Sequence, residues 1–102
     1  MTEATRKLLE NFVIDNESLL DSIPDDEAPA AADRAIAMIR QRTDALLNGS
    51  IDQASFLHTL KTQSSVIVKS YSDCKNMVTV SIITLVVTNI AGVMAMLRKG
   101  GV

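Results

Sequence analysis

The sequence predicts an all-α protein in which two short amphipathic helices lead into one long helix that continues into a C-terminal transmembrane segment. Three observations predict it. Apolar residues recur at helical spacing from Leu8 onward, no proline follows Pro29, and residues 77–97 carry no charge at all. A continuous periodicity of 3.6 residues with no stop signal reads as uninterrupted helix. Predicted helices span 3–22, 27–48 and 51–76, with a transmembrane helix over 77–97 and a short basic tail over 98–102.

In the first helix Leu8, Leu9, Phe12, Val13, Leu19, Leu20 and Ile23 mark the apolar stripe, and Thr2 and Glu3 suit its start. The polar run Asp15-Asn16-Glu17-Ser18 interrupts the stripe, and Pro24 stops the helix near Ser22. The second helix follows an acidic linker. Asp25, Asp26 and Glu27 favour a helix N-terminus, and Pro29 is tolerated in a first turn. Its stripe is narrow and alanine-rich, and Asn48-Gly49 ends it, with Gly49 suited to the left-handed position just past a helix. Ser50 and Gln53 have capping-box spacing for the third helix. From there Leu57, Leu60, Ser64, Ile67, Tyr71, Cys74, Val78, Ser81, Leu85, Thr88, Gly92 and Ala95 alternate spacings of three and four, as one continuing face. A helix over 51–97 would be about 70 Å long.

The uncharged run decides the class of function. A bilayer core needs roughly 20 apolar residues in a helix, and this run has that length with a mean hydropathy of about 2. Thr79, Ser81, Thr84 and Thr88 can return their hydroxyls to the backbone one turn earlier, whereas Asn89 needs a partner. Ser81, Thr84, Thr88, Gly92 and Ala95 form a small-residue ridge, with Asn89 beside it, of the kind that lets helices approach closely in lipid. Self-association through this ridge is expected. Lys69, Tyr71 and Lys75 before the run, and Arg98 and Lys99 after it, are placed as membrane-interface residues. The bases are too evenly divided to fix an orientation.

Composition narrows the rest. A chain of 102 residues makes one domain, and three aromatics make a thin core. One cysteine allows no internal disulfide, and one histidine cannot anchor a zinc site, so partners or a membrane are the expected support. Charge is partitioned: residues 1–56 carry eleven acids and five bases, whereas residues 57–102 carry one acid and five bases. Asp21, Asp25, Asp26 and Glu27 could gather Ca²⁺, but they lack the ordered spacing of a calcium loop and read as a solvated helix-starting loop. Cys74 is open to palmitoylation or to pairing in a dimer, and equally to a role as a small buried thiol. His58 has no companions at ligand spacing and reads as a solvent-facing side chain. No secretory signal pattern opens the sequence.

No acid pair, nucleophile–base set or phosphate loop stands out, so neither an enzyme nor a cofactor is expected. The bases form no stripe interleaved with aromatics, so nucleic acid is not an expected partner. The leading expectation is a membrane-anchored structural protein that binds a bilayer, associates with itself, and docks another structural protein through its acidic N-terminal helices. In overall plan the chain resembles the minor integral membrane proteins of tailless icosahedral phages with an internal membrane, and that resemblance implies a role in fastening membrane to capsid. It covers the whole chain as architecture only and carries over no residue. A holin-like membrane-permeabilising protein, or a soluble helical adaptor that oligomerises through its apolar C-terminal helix, are the alternatives.

Overall fold

A computed structural model describes residues 1–99. It contains four α-helices: α1 (Glu3–Asp21), α2 (Ala30–Leu47), α3 (Gln53–Lys69) and α4 (Met77–Arg98), and no strand among the described residues. The helices form an antiparallel ring in which each packs against its sequence neighbours and α1 closes against α4. The molecule measures 40 × 21 × 20 Å, with a radius of gyration of 13.5 Å. About 13 Å is usual for a compact domain of this length.

The expected long helix is therefore wrong, since a rod of about 70 Å has no room in a 40 Å molecule. The chain turns back between α3 and α4. Ser70–Asp73 form a single 3-10 turn, Cys74 is extended, and Asn76 caps α4 by accepting the Thr79 N–H at 2.9 Å. Serine side chains reinforce the break, as Ser70 Oγ donates to Ile67 O and Ser72 Oγ to Lys69 O. Short polar side chains compete with helical hydrogen bonding and favour caps and turns, so SYSDCKN stops a helix without glycine or proline.

The other boundaries move less. α1 starts at its Thr2 cap and ends at Asp21 as expected, but it runs unbroken through the polar segment. α2 begins at Ala30 with Pro29 at its N-cap, three residues after the predicted start, because Pro24–Ala28 fold into a turn of their own. At the α2 C-terminus Gly49 adopts φ +82°, with Ser50 N–H bonded to Ala45 O and Gly49 N–H to Leu46 O, a Schellman arrangement. α3 is capped by Asp52, which accepts the Ser55 N–H at 2.8 Å, and not by Ser50. Ser50 turns to Asn48 Oδ1 instead, and Gln53 reaches across to Leu97 O. Of the predicted basic tail, residues 100–102 lie outside the described residues.

All four helices feed one core. Leu9, Phe12 and Leu20 of α1 meet Ile36 and Ile39 of α2, Phe56, Leu60 and Ile67 of α3, and Ile83, Val86, Ile90, Val93 and Leu97 of α4. The buried positions of α4 are 79, 83, 86, 90, 93 and 97, spaced alternately by four and three as in antiparallel bundles. Burying its five large apolar residues contributes about 10 kcal/mol by transfer arithmetic, which is an upper bound. α4 is thus one corner of the bundle, neither a projecting span nor a central helix wrapped on all sides.

Ile90 and Thr88 give the sharpest contrast, being fully buried and exposed respectively. Ile90→Ala should lower unfolding stability by roughly 2–5 kcal/mol, and Thr88→Ala should change it by less than about 0.5 kcal/mol. Urea denaturation of the full-length protein measures both, and equal effects would contradict the packing of α4.

Candidate membrane and assembly surface

The outward side of α4 follows from which side its own chain covers. Helical geometry puts Ser81, Thr84, Thr88, Ala91, Gly92 and Ala95 opposite the buried stripe, and all six are exposed. At the edges of this ridge lie larger apolar residues, with Met77 74% exposed, Val78 69% and Leu85 51%. The predicted face therefore does not continue from α3. In α3 its members Leu60 and Ile67 are buried, whereas in α4 Val78, Ser81, Leu85, Thr88, Gly92 and Ala95 point away from the core. A Cβ at Gly92 would meet nothing within 4 Å, so space at this point of the ridge is open.

Of the four hydroxyls expected to bond back to the helix, those of Ser81 and Thr84 do, whereas Thr79 Oγ1 turns to the capping Asn76 Oδ1 at 3.3 Å. Ser81 Oγ donates to Met77 O at 2.9 Å and Thr84 Oγ1 to Val80 O at 2.8 Å. Thr84 also meets Tyr71 Oη at 2.8 Å, which ties the ridge to the turn before α4. α4 is 22 residues long with a mean hydropathy of 2.2, long and apolar enough to cross a membrane, and only 28% of its most apolar stretch is buried. The buried large residues supply much of that hydropathy, and the ridge is mainly serine, threonine, alanine and glycine.

The five interface candidates fall into two groups at the two ends of α4. Lys69 ends α3, Tyr71 lies in the following turn, and Lys75 precedes α4 while donating to Asp26 O at 3.0 Å. Arg98 and Lys99 stand at the other end, about 33 Å away at 1.5 Å per residue. That separation matches the hydrocarbon thickness of a bilayer.

Asn89 is placed differently from the ridge it was grouped with. It is half-buried and donates through Nδ2 to Asn16 Oδ1 of α1 at 3.0 Å. Asn16 is only 1% exposed and in turn donates to Phe12 O. The partner that Asn89 requires therefore comes from its own chain. The pair sits in a cleft of about 420 Å³ between α1 and α4, walled by Leu8, Phe12, Val93 and Met96. Sequence reading missed the pair by treating Asp15–Ser18 as an interruption. The signal lay in the stripe 9, 12, 13, 16, 20, where Asn16 occupies a core position.

Acidic residues gather at the opposite side of α1. Glu17, Asp21, Asp25 and Asp33 rim a hollow of about 650 Å³ floored by Leu20, Ile23, Ala28 and Ile36. Of the predicted acidic set, Asp21 and Asp25 are here and Asp26 and Glu27 are not; Asp33 and Glu17 replace them. Glu17 is paired with Arg40 of α2. Partial burial raises the Asp33 carboxyl above its usual range, and the nearby Asp21 and Asp25 charges raise it further. Among the described residues no group of three or more His, Cys, Asp or Glu could hold a metal ion. Cys74 is half-buried, with its thiol pushed up by desolvation and by Asp73, and His58 is exposed. Every buried side-chain nitrogen or oxygen among the described residues has a hydrogen-bond partner.

No family model matches the chain, and no curated protein or solved structure is significantly similar to it.

The Asn16–Asn89 pair and the Asp33 carboxyl each give a stability prediction. Asn16→Ala and Asn89→Ala should each destabilise by about 1–3 kcal/mol, with a coupling of at least about 0.5 kcal/mol in the double-mutant cycle. Simple additivity would show that the pair is not formed. Because the Asp33 carboxyl is raised, the folded state holds its proton more tightly than the unfolded one, and ionisation opposes folding above that range. Asp33→Asn should therefore stabilise the protein at neutral pH, with the gain fading as pH falls toward about 4. Thermal unfolding across pH checks the sign.

Proposed function

We propose that this chain is a small non-catalytic structural protein of a membrane, with α4 as its membrane-contacting element and the acidic α1–α2 side as a docking surface for another protein. One observation carries this reading: α4 is uncharged from Met77 to Leu97 and long enough to span, and its own bundle covers one side of it. An uncovered apolar helix side in water calls for another occupant. The basic groups at its two ends suit head groups on either side of a hydrocarbon layer. The outward ridge of Ser81, Thr84, Thr88, Gly92 and Ala95 suits close approach of a second copy in lipid, with self-association as the consequence. Fastening a viral membrane to its capsid is one setting that such a protein fits, by likeness of plan alone.

A second reading is favoured by a different observation. Five large apolar side chains of α4 are buried in the bundle and most of the exposed ones are small or hydroxylated, which a soluble adaptor tolerates. In that reading the same ridge joins copies of a soluble bundle.

Expression of the full-length chain followed by alkaline carbonate extraction and gradient flotation separates the two. Protein that floats with lipid after extraction supports the membrane reading. Protein recovered without detergent as a discrete soluble oligomer, leaving no lipid-associated fraction, contradicts it.

A further inference from the structure

We propose that the α3–α4 side of the closed bundle is a docking face for an anionic bilayer surface, engaged without α4 leaving the bundle. The inference rests on the membrane reading above and names the lipid chemistry and the face that meets it.

Charge is divided between the two sides of the ring. α1, α2 and the segments up to Asp52 carry eleven of the twelve acids, whereas residues 53–99 carry Asp73 alone together with Lys61, Lys69, Lys75, Arg98 and Lys99. The fold turns this division along the chain into one across the molecule, because α3 and α4 are ring neighbours. Gln53 Nε2 donates to Leu97 O at one end of their seam, and Tyr71 Oη meets Thr84 Oγ1 toward the other.

The exposed surface on both sides of that seam carries bases, small residues and the apolar side chains of Val68 and Met77, with one acid in the turn between the helices. Along α3, Ala54, His58, Lys61, Ser65 and Val68 recur at spacings of four and three, and all are exposed. Along α4, Met77 is the large exposed apolar residue on the side toward α3, whereas Val78 and Leu85 lie on the edge toward the α1–α4 cleft. Lys69 and Lys75 stand at one end of the face and Arg98 and Lys99 at the other. Asp73, in the turn between the two helices, and Asp52, the exposed cap of α3 at the other end, are the acids beside this face, and Asp15 borders it across the α1–α4 cleft.

A helix that lies in a membrane interface combines a shallow apolar face with Lys and Arg, and anionic head groups supply the counter-charge. This face has that combination over the length of two helices, and the acidic side then turns toward water. A second copy fits it less well. Two such faces brought together in water place like charges opposite one another, which opposes association until anionic head groups neutralise them.

The test uses folded full-length protein floated with neutral phosphatidylcholine vesicles and with vesicles containing phosphatidylglycerol, at low and high salt. Two double variants of equal net charge are compared, Lys61→Glu with Lys69→Glu on the proposed face and Arg34→Glu with Arg42→Glu on α2. Circular dichroism confirms that each remains folded. Each base near a charged surface strengthens binding by about fivefold. Wild type should therefore float with the anionic vesicles and release at high salt, the α3 variant should bind at least about tenfold more weakly, and the α2 variant should stay within about twofold of wild type. Salt-resistant binding that is equal on both vesicle types overturns this inference and leaves the membrane reading standing. Failure to float with either type overturns both. A concentration-dependent dimer that the α3 substitutions abolish, with no vesicle binding, assigns the face to a second copy and overturns the proposal.

Discussion

Of the twenty-one uncharged residues from Met77 to Leu97, the rest of the chain covers one side only. That constraint organises the structure. The bundle takes the bulky stripe of α4, from Ile83 through Leu97, and seals it against α1 and α3. What remains outside is the least costly side to leave wet, since serine, threonine, alanine and glycine expose little apolar area. Met77, Val78 and Leu85 are the residues that make this solution incomplete. Covering them is the simplest physical reason for a bilayer or a partner.

Polar side chains fix the arrangement that apolar packing only favours. Asn76 and the serines at 70 and 72 stop α3 and restart the chain as α4, which brings an uncharged helix back along its own bundle. Asn16 and Asn89 then hold α1 against α4. A buried amide pair contributes little net stability, but it penalises any register in which one partner is left alone. The same pair defines where α4 meets the rest of the molecule most sparingly, beside the cleft lined by Leu8 and Met96.

Much of the fold was legible in the residues. Helix character, the Thr2 start, the Ser22 end of α1 and the left-handed Gly49 all followed from local chemistry that tertiary context did not override. The break at 70–76 carries neither glycine nor proline, the usual marks of a helix end, and is built instead from serine, aspartate and asparagine. The direction of α4 was lost with it. A stripe continued by arithmetic through a broken helix points to the wrong side, and so the ridge from Ser81 to Ala95 was placed on the face of Leu60 and Ile67. The length, hydropathy and flanking bases of α4 were visible, since they belong to composition. Which of its faces the chain would cover was not, because that depends on three other helices.

The most direct test is a cysteine scan along α4 in a Cys74→Ser background, reading the rate of labelling by a water-soluble maleimide in buffer and on anionic vesicles. In buffer, labelling should follow the helical period, fast at 81, 88, 92 and 95 and protected at 83, 86, 90 and 93. On vesicles the fast positions should become protected while the buried ones stay so. Uniform labelling along the helix in buffer would contradict the account, because α4 would then not be packed against its own chain.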